Sequence, residues 1–441
     1  MNMTRRELLK DSAAAGLFNI IPAKVLWGAE APSNQLTRAL IGFGCIAHSE
    51  NHLPFKGSRL IGLCDPWEAR VQTGLACAEK AGWGTVKAYR NFMELLADKD
   101  VDIAHICTPP HWHGCMSVMA AKAGKDIWCE KPMTRTVGEG KRVMEVVKAE
   151  KRMFRLNTWF RFQSTFYGFG TTVEPIRQVV ENGLLGKGPI KCTFGAGQGF
   201  SWKFGWSGRV NDVPQPVPAG FDWDMWLGPA PWKPYTDHRA GTSFRGYWDY
   251  DSGGLGDMAQ HYLDPLQYLL CKDETSPVKI DYRGPKQHPE AVGRFDRLTL
   301  TYADGTTVDL DGDETLLDEP LLRGSNGLCV YKKAKGGKTL RIKDAQGWWP
   351  EEKVLAKLAE LPKPAPQQTD FIDSCKTRKP FALNESNGFR SCTMFNLGIV
   401  AERLGRGFRF DPQTLRAVDD EAADRFLYQT MREPWHQEMY G

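Results

Sequence analysis

A short apolar run that ends in glycines constrains this chain more than any other stretch. Thr37-Arg-Ala-Leu-Ile-Gly-Phe-Gly44 reads as a strand that runs into Gly42-Phe43-Gly44-Cys45-Ile46-Ala47, a G-x-G-x-x-A sequence. The first glycine permits a tight turn, and the second lets the backbone approach a pyrophosphate. The small Ala47 lets the helix that opens there pack close. Amide groups at such a helix start attract phosphate oxygens. Gly42, Phe43, Gly44, Cys45 and Ile46 are therefore candidate cofactor contacts. A second strand, Arg59-Leu-Ile-Gly-Leu-Cys-Asp65, ends on a carboxylate 21 residues after Gly44. Asp65 there accepts hydrogen bonds from adenosine ribose hydroxyls and repels a 2′-phosphate, which favours NAD over NADP. A plain glycine turn followed by a helix N-cap Asp is the competing explanation.

The segments that follow supply the context the motif needs. A helix is predicted over Pro66–Ala81, then a strand over Val101–Thr108 and a helix over Met116–Ala123. Next come a strand over Asp126–Pro132, a helix over Lys141–Glu150 and a strand at Met153–Asn157. Strands alternating with helices at this spacing predict a doubly wound parallel sheet, the Rossmann arrangement, over residues 36–160. The 441 residues leave room for one or two further domains. Residues 161–441 read as an α+β domain on a largely antiparallel sheet, with short strands at 189–194, 297–302, 306–310 and 327–331. Asp304-Gly305 predicts a type I′ hairpin turn, and Gly336-Gly337 a second hairpin. Helices are expected at Thr369–Lys376 and Phe389–Leu404. Residues 200–250, rich in Trp, Pro and Gly, read as long loops of the kind that carry function.

The N-terminus reads as an address. Thr4-Arg5-Arg6-Glu7-Leu8-Leu9-Lys10 matches a twin-arginine export signal. A weakly apolar stretch and a small-x-small site at Ala29-Glu30-Ala31 follow, so residues 1–31 form the expected signal peptide. A periplasmic or otherwise exported protein that engages the twin-arginine machinery is expected. A basic amphipathic helix is the alternative. That stretch is too short and interrupted to span a bilayer, and no later one is apolar enough. The 11 cysteines show no CxxC pair and no zinc-type spacing with histidine, so no disulfide framework or metal is expected. Net charge is only +4, from 57 basic and 53 acidic residues, which excludes a nucleic-acid footprint.

Three further motifs carry chemistry. Thr108-Pro109-Pro110-His111-Trp112-His113 lies at a strand's carboxyl end, where such sheets bind ligands. Thr108, Pro109, Pro110, Trp112 and His113 are expected to line the cofactor. His111-x-His113 also suits a metal, but no third ligand stands near it in sequence. Glu130-Lys131-Pro132 follows another strand. Lys131 can orient a hydroxyl and hold positive charge near a developing alkoxide, or it is a surface lysine before a turn. In Gly253-Gly254-Leu255-Gly256-Asp257-Met258-Ala259-Gln260-His261, Asp257 and His261 share one helix face. A carboxylate so placed raises the basicity of an imidazole; an N-cap Asp with a core His is the bland alternative.

In order and spacing these motifs resemble the Gfo/Idh/MocA oxidoreductases, from about residue 36 to the C-terminus. The resemblance implies that Lys131 and His261 are the catalytic pair with Asp257 assisting. It implies that Glu130 and Asn157 line the cofactor, and that Arg161 joins Lys131, Asp257 and His261 at the substrate. The expected activity is NAD(P)-dependent oxidation or reduction of a ring hydroxyl on a sugar or glycoside, with tightly held cofactor. A glycosidase working by transient C3 oxidation and elimination is the alternative, and a non-catalytic sugar-binding protein a third. The family resemblance also implies a homo-oligomer built through the second-domain sheet.

Overall fold

The computed structural model describes residues 34–47, 55–158, 161, 172–203 and 213–441. The twin-arginine segment lies outside the described residues. Six strands form the first sheet: β1 (Leu36–Ile41), β2 (Ser58–Cys64), β3 (Lys87–Tyr89), β4 (Ile103–Ile106), β5 (Asp126–Glu130) and β6 (Phe154–Asn157). Their spatial order is β3-β2-β1-β4-β5-β6, and every neighbouring pair is parallel. Every residue of β4, β5 and β6 is buried, as expected for strands covered on both faces. The chain leaves β1 toward β2 on one side and returns beside it as β4 on the other. A crevice therefore opens at the carboxyl ends of these strands. Gly42, Asp65, Thr108 and Lys131 all follow strand ends there.

The intervening helices start where local chemistry permits. Thr136 caps Val137–Ala149 by accepting from the Glu139 amide, and Asn91 caps Phe92–Ala97 in the same way. The helix expected from Met116 begins earlier, at His113, because Pro110 opens a 3-10 turn over Pro110–Trp112 that feeds straight into it.

The second sheet has ten strands among the described residues. They are β7 (Lys191–Gly195), β8 (Lys279–Arg283), β9 (Arg297–Thr301), β10 (Thr307–Asp311), β11 (Leu322–Arg323), β12 (Cys329–Tyr331), β13 (Arg341–Asp344), β14 (Gly347–Trp348), β15 (Phe408–Asp411) and β16 (Arg416–Ala417). The order is β14-β13-β12-β11-β7-β10-β9-β8-β15-β16. Only β7 and β10 pair in parallel. In β9 Leu298 and Leu300 are buried while Arg297, Thr299 and Thr301 stay half-exposed, so one face takes the core. The helices Gly253–Leu269 and Glu385–Leu404 pack on that face, and Gly398 lets Leu298 and Leu255 close in beside it. The β9–β10 hairpin forms, but not through a type I′ turn. Of the turn residues only Gly305 takes a positive φ, +84°, and its amide donates to the Tyr302 carbonyl. A turn over Ala303-Asp304 is thus closed by one left-handed glycine. No helix among the described residues is long and apolar enough to cross a membrane.

Candidate active site

The glycine loop is built by close approach. Gly42 has φ +91°, and a Cβ there would stand 2.9 Å from the Cys107 carbonyl oxygen. Only glycine fits, for steric and conformational reasons together. A Cβ on Gly44 would meet nothing within 4 Å, because this residue faces an open cleft enclosing about 940 Å³. The residues fit a dinucleotide: the backbone is bare where a pyrophosphate must approach it. Asp65 does more than the sequence suggests. One carboxylate oxygen accepts from the Phe43 amide and the other from the Trp67 amide, both at 2.8 Å. It thereby fixes the loop while still lining the cleft. Burial raises its pKa, and the charge of Arg70 opposes that. Phe43 turns its ring into the small core beneath β1 and β2, so only its backbone serves the loop.

The far wall of this cleft comes from the second domain. The Glu68 amide donates to the Gly220 carbonyl at 2.9 Å, and the Asp222 amide to the Pro66 carbonyl at 2.8 Å. Phe221 stacks on Trp67 with ring centroids 5.0 Å apart. His111 Nε2 and Trp112 Nε1 both reach the Trp226 carbonyl, at 2.9 and 3.1 Å. Met225, Trp226, Thr242, Phe244 and Arg245 thus face Gly44, Cys45, Ile46, Pro109 and Trp112 across the cavity.

His113 bridges two strand-end loops, with Nδ1 2.6 Å from the Pro132 carbonyl and Nε2 2.8 Å from the Thr108 carbonyl. Burial holds its pKa down to about 4. Both histidines of the H-x-H sequence are therefore committed to backbone oxygens. A different trio, His105, Cys107 and Glu130, places its potential donor atoms within 4.8 Å of one another. The Arg38 guanidinium, 2.7 Å from His105 Nδ1, already puts a cation beside it.

A second space of about 820 Å³ adjoins the first and shares Cys45, Ile46, Thr108, Phe244 and Arg245 with it. Pro110, Glu130, Lys131, Asp257, Met258 and His261 complete its lining. Lys131 Nζ donates to the Asp257 carbonyl at 2.6 Å and to Asp257 Oδ1 at 2.9 Å. Arg245 Nε donates to the same Oδ1 at 3.1 Å. Burial pushes the Asp257 carboxyl up, but Lys131 and Arg245 outweigh it and hold it below the usual range. Burial, then the Lys131 charge, hold His261 well below the usual imidazole range, so it is neutral; the Asp257 charge, expected from the sequence to raise its basicity, opposes them only in part.

The glycines explain how these side chains come together. The helix Gly253–Leu269 starts at Gly253 (φ +68°), directly after Ser252 (φ +81°). A Cβ on Gly256 would lie 1.6 Å from the Asp251 carbonyl oxygen. Asp257 is thus inside the helix rather than its cap, one turn ahead of His261. Asp251, which sequence reasoning missed, sits behind the pair. It is buried, and neither carboxylate oxygen has a hydrogen-bond partner among the described residues. Burial and the neighbouring Asp257 charge push it well up, so the two carboxyls divide into one neutral and one charged.

Two expected contacts lie elsewhere. Asn157 Nδ2 donates to Glu130 Oε1 at 2.7 Å, so it positions Glu130 and is not among the residues lining either space. Arg161 does not join the substrate pocket. Its guanidinium is buried against Asp264 at 2.9 Å and Asp273 at 2.7 Å, where it fastens the helix Gly253–Leu269 to the turn that follows it. Arg245 is the residue missed at the centre of the cleft. It belongs to a Trp-rich loop with no periodicity, and its contact across the cleft, Cys45, lies 200 residues away in sequence.

A family model described as "Oxidoreductase family, NAD-binding Rossmann fold" matches residues 36–158. One described as "Oxidoreductase family, C-terminal alpha/beta domain" matches residues 169–437. A D-xylose 1-dehydrogenase (NADP(+)) of Hypocrea jecorina is 28% identical over 44% of this chain and 52% of its own length. A levoglucosan dehydrogenase of Pseudarthrobacter phenanthrenivorans is 24% identical over 59% of this chain and 55% of its own. The chain thus spans about half the length of these curated relatives. Among solved structures, the WlbA dehydrogenase of Bordetella pertussis in complex with NADH and UDP-GlcNAcA matches with a TM-score of 0.55 at 15% identity. That match covers 86% of this chain and 98% of that one. An aldose-aldose oxidoreductase of Caulobacter crescentus matches with a TM-score of 0.52 at 19% identity, covering 85% and 100%. Both family models, which between them take in the glycine loop and the Lys131–Asp257–His261 cluster, make this chain a member of the Gfo/Idh/MocA oxidoreductase family.

Proposed function

We propose that this protein transfers hydride between NAD and a ring hydroxyl of a sugar or glycoside. One observation carries the proposal: the Lys131–Asp257–His261 cluster opens into the same continuous cleft as the glycine loop. Bound NAD supplies the hydride acceptor. Lys131, held by Asp257, presents its ammonium to the substrate hydroxyl and favours the alkoxide that forms as the hydroxyl proton is lost and that collapses to the carbonyl as hydride leaves carbon. Neutral His261 takes the hydroxyl proton. Asp257 fixes Lys131 through two contacts and balances its charge. The D-xylose and levoglucosan dehydrogenases among the relatives support this substrate class.

The second-domain wall over the nucleotide cleft supports retention of the cofactor. The twin arginines support export, and an exported enzyme meets little free NAD. We therefore propose a resident cofactor that is oxidised and reduced in place, within an assembly of identical subunits. The test is to add a panel of aldoses, polyols and glycosides to purified protein and follow the reduced-nicotinamide absorbance. A change with at least one of them, lost in Lys131→Met and His261→Asn, is expected. No change across the panel would overturn the proposal.

A further inference from the structure

The position of Arg245 between the two spaces is not explained by substrate chemistry alone. It comes from the second domain, on the 3-10 turn Thr242–Gly246, yet it reaches the glycine loop of the first. Its Nη2 stands 3.7 Å from Cys45 Sγ, on the residue after Gly44, where the bare backbone faces the cleft. Its Nε meanwhile donates to Asp257 Oδ1. That single oxygen also takes Lys131, so two cations lean on one acceptor. Arg245 Nη1 donates to the Thr242 carbonyl at 3.3 Å, which anchors the guanidinium at the mouth of the cleft. The planar guanidinium fork matches phosphate oxygens better than an ammonium does. Phe244 stacks against the guanidinium, 4.7 Å from its ring centre, and keeps it extended toward the loop.

We infer that Arg245 is a pyrophosphate-binding residue contributed by the second domain, which exchanges Asp257 for the cofactor's phosphates when the dinucleotide enters. The inference rests on the dinucleotide reading of the cleft. Before binding, Arg245 and Lys131 share Asp257. After binding, Arg245 serves the pyrophosphate and Asp257 serves Lys131 alone. Cofactor arrival thereby sets the state of the catalytic carboxylate. It also draws the second domain onto the nucleotide, which adds to retention.

Equilibrium competition on the full-length protein, after long exchange of its resident nucleotide for labelled NAD, tests this. Labelled NAD is displaced with ADP-ribose, which carries the pyrophosphate, or with adenosine, which does not. In Arg245→Met the affinity for ADP-ribose should fall about 10- to 100-fold, the loss of one charge-assisted contact. Adenosine affinity should be unchanged, which also shows that the cleft is intact. Arg245→Lys should recover part of the loss. Asp257→Asn should tighten ADP-ribose several-fold, because the competitor for Arg245 is weakened. If Arg245→Met leaves ADP-ribose affinity unchanged, or weakens adenosine equally, Arg245 does not hold the pyrophosphate. If the unaltered protein binds neither NAD nor ADP-ribose, the dinucleotide reading itself fails and the inference falls with it.

Discussion

Glu402 offers a quantitative test of how the second domain is held together. It lies on the helix Glu385–Leu404, 1% exposed, in a small recess with Trp202, Leu255, Val292 and Phe295. Burial alone raises its carboxyl from 4.5 to about 8. The folded protein therefore holds a proton on Glu402 that the unfolded chain has released between pH 4.5 and about 8. Stability from this group is fully present below pH 4.5 and is lost as pH rises through the window. One proton taken up on folding costs about 1.4 kcal/mol per pH unit. Across the window (8 − 4.5, about 3.5 pH units) the penalty reaches about 5 kcal/mol. Glu402→Gln carries no ionisable group, so it should match the parent near pH 5 and exceed its stability by several kcal/mol near pH 8. Urea unfolding followed by tryptophan fluorescence at four pH values measures this, since Trp202 reports from the same recess. Parallel pH profiles for parent and variant would refute the reasoning.

Other perturbations give equally direct outcomes. Arg161→Met leaves Asp264 buried without its cation and should cost about 3–5 kcal/mol, read as a lower unfolding midpoint. The nucleotide bound per folded molecule should not change. Gly42→Ala drives a methyl into the Cys107 carbonyl at an unfavourable φ. It should abolish nucleotide retention, measured by chromatography of heat-released ligand, while the second domain unfolds as before. Asp65→Ala removes both anchors of the loop, so NAD affinity should fall about 10-fold or more by equilibrium dialysis.

Much of the first domain was legible because its signals are local. A strand, a tight glycine turn and a carboxylate at the next strand end lie within thirty residues, and the physics of each is short-ranged. Asp257 and His261 were legible for the same reason, being one helical turn apart. Arg161 was not. Its place after the last Rossmann strand suggested the cleft, but its direction is decided by Asp264 and Asp273, more than a hundred residues on. Arg245 and Asp251 were hidden in a stretch whose order comes from contacts with the first domain, such as Phe221 on Trp67, rather than from any repeat of its own. The short strands β8, β11 and β13–β16 escaped notice because all but β14 carry charged residues and β11, β14 and β16 span only two residues each. The Asp304-Gly305 turn was placed correctly but typed wrongly, since one glycine in the left-handed region suffices to close it.

The central claim is that the cleft between the two domains holds a nicotinamide dinucleotide as a resident group. Purified, dialysed protein can be denatured and the released small molecules weighed by mass spectrometry. The account predicts NAD or its reduced form at close to one per chain, and its loss in Gly42→Ala. Protein that is folded and pure yet releases no nucleotide, and binds none when NAD is added, would contradict it.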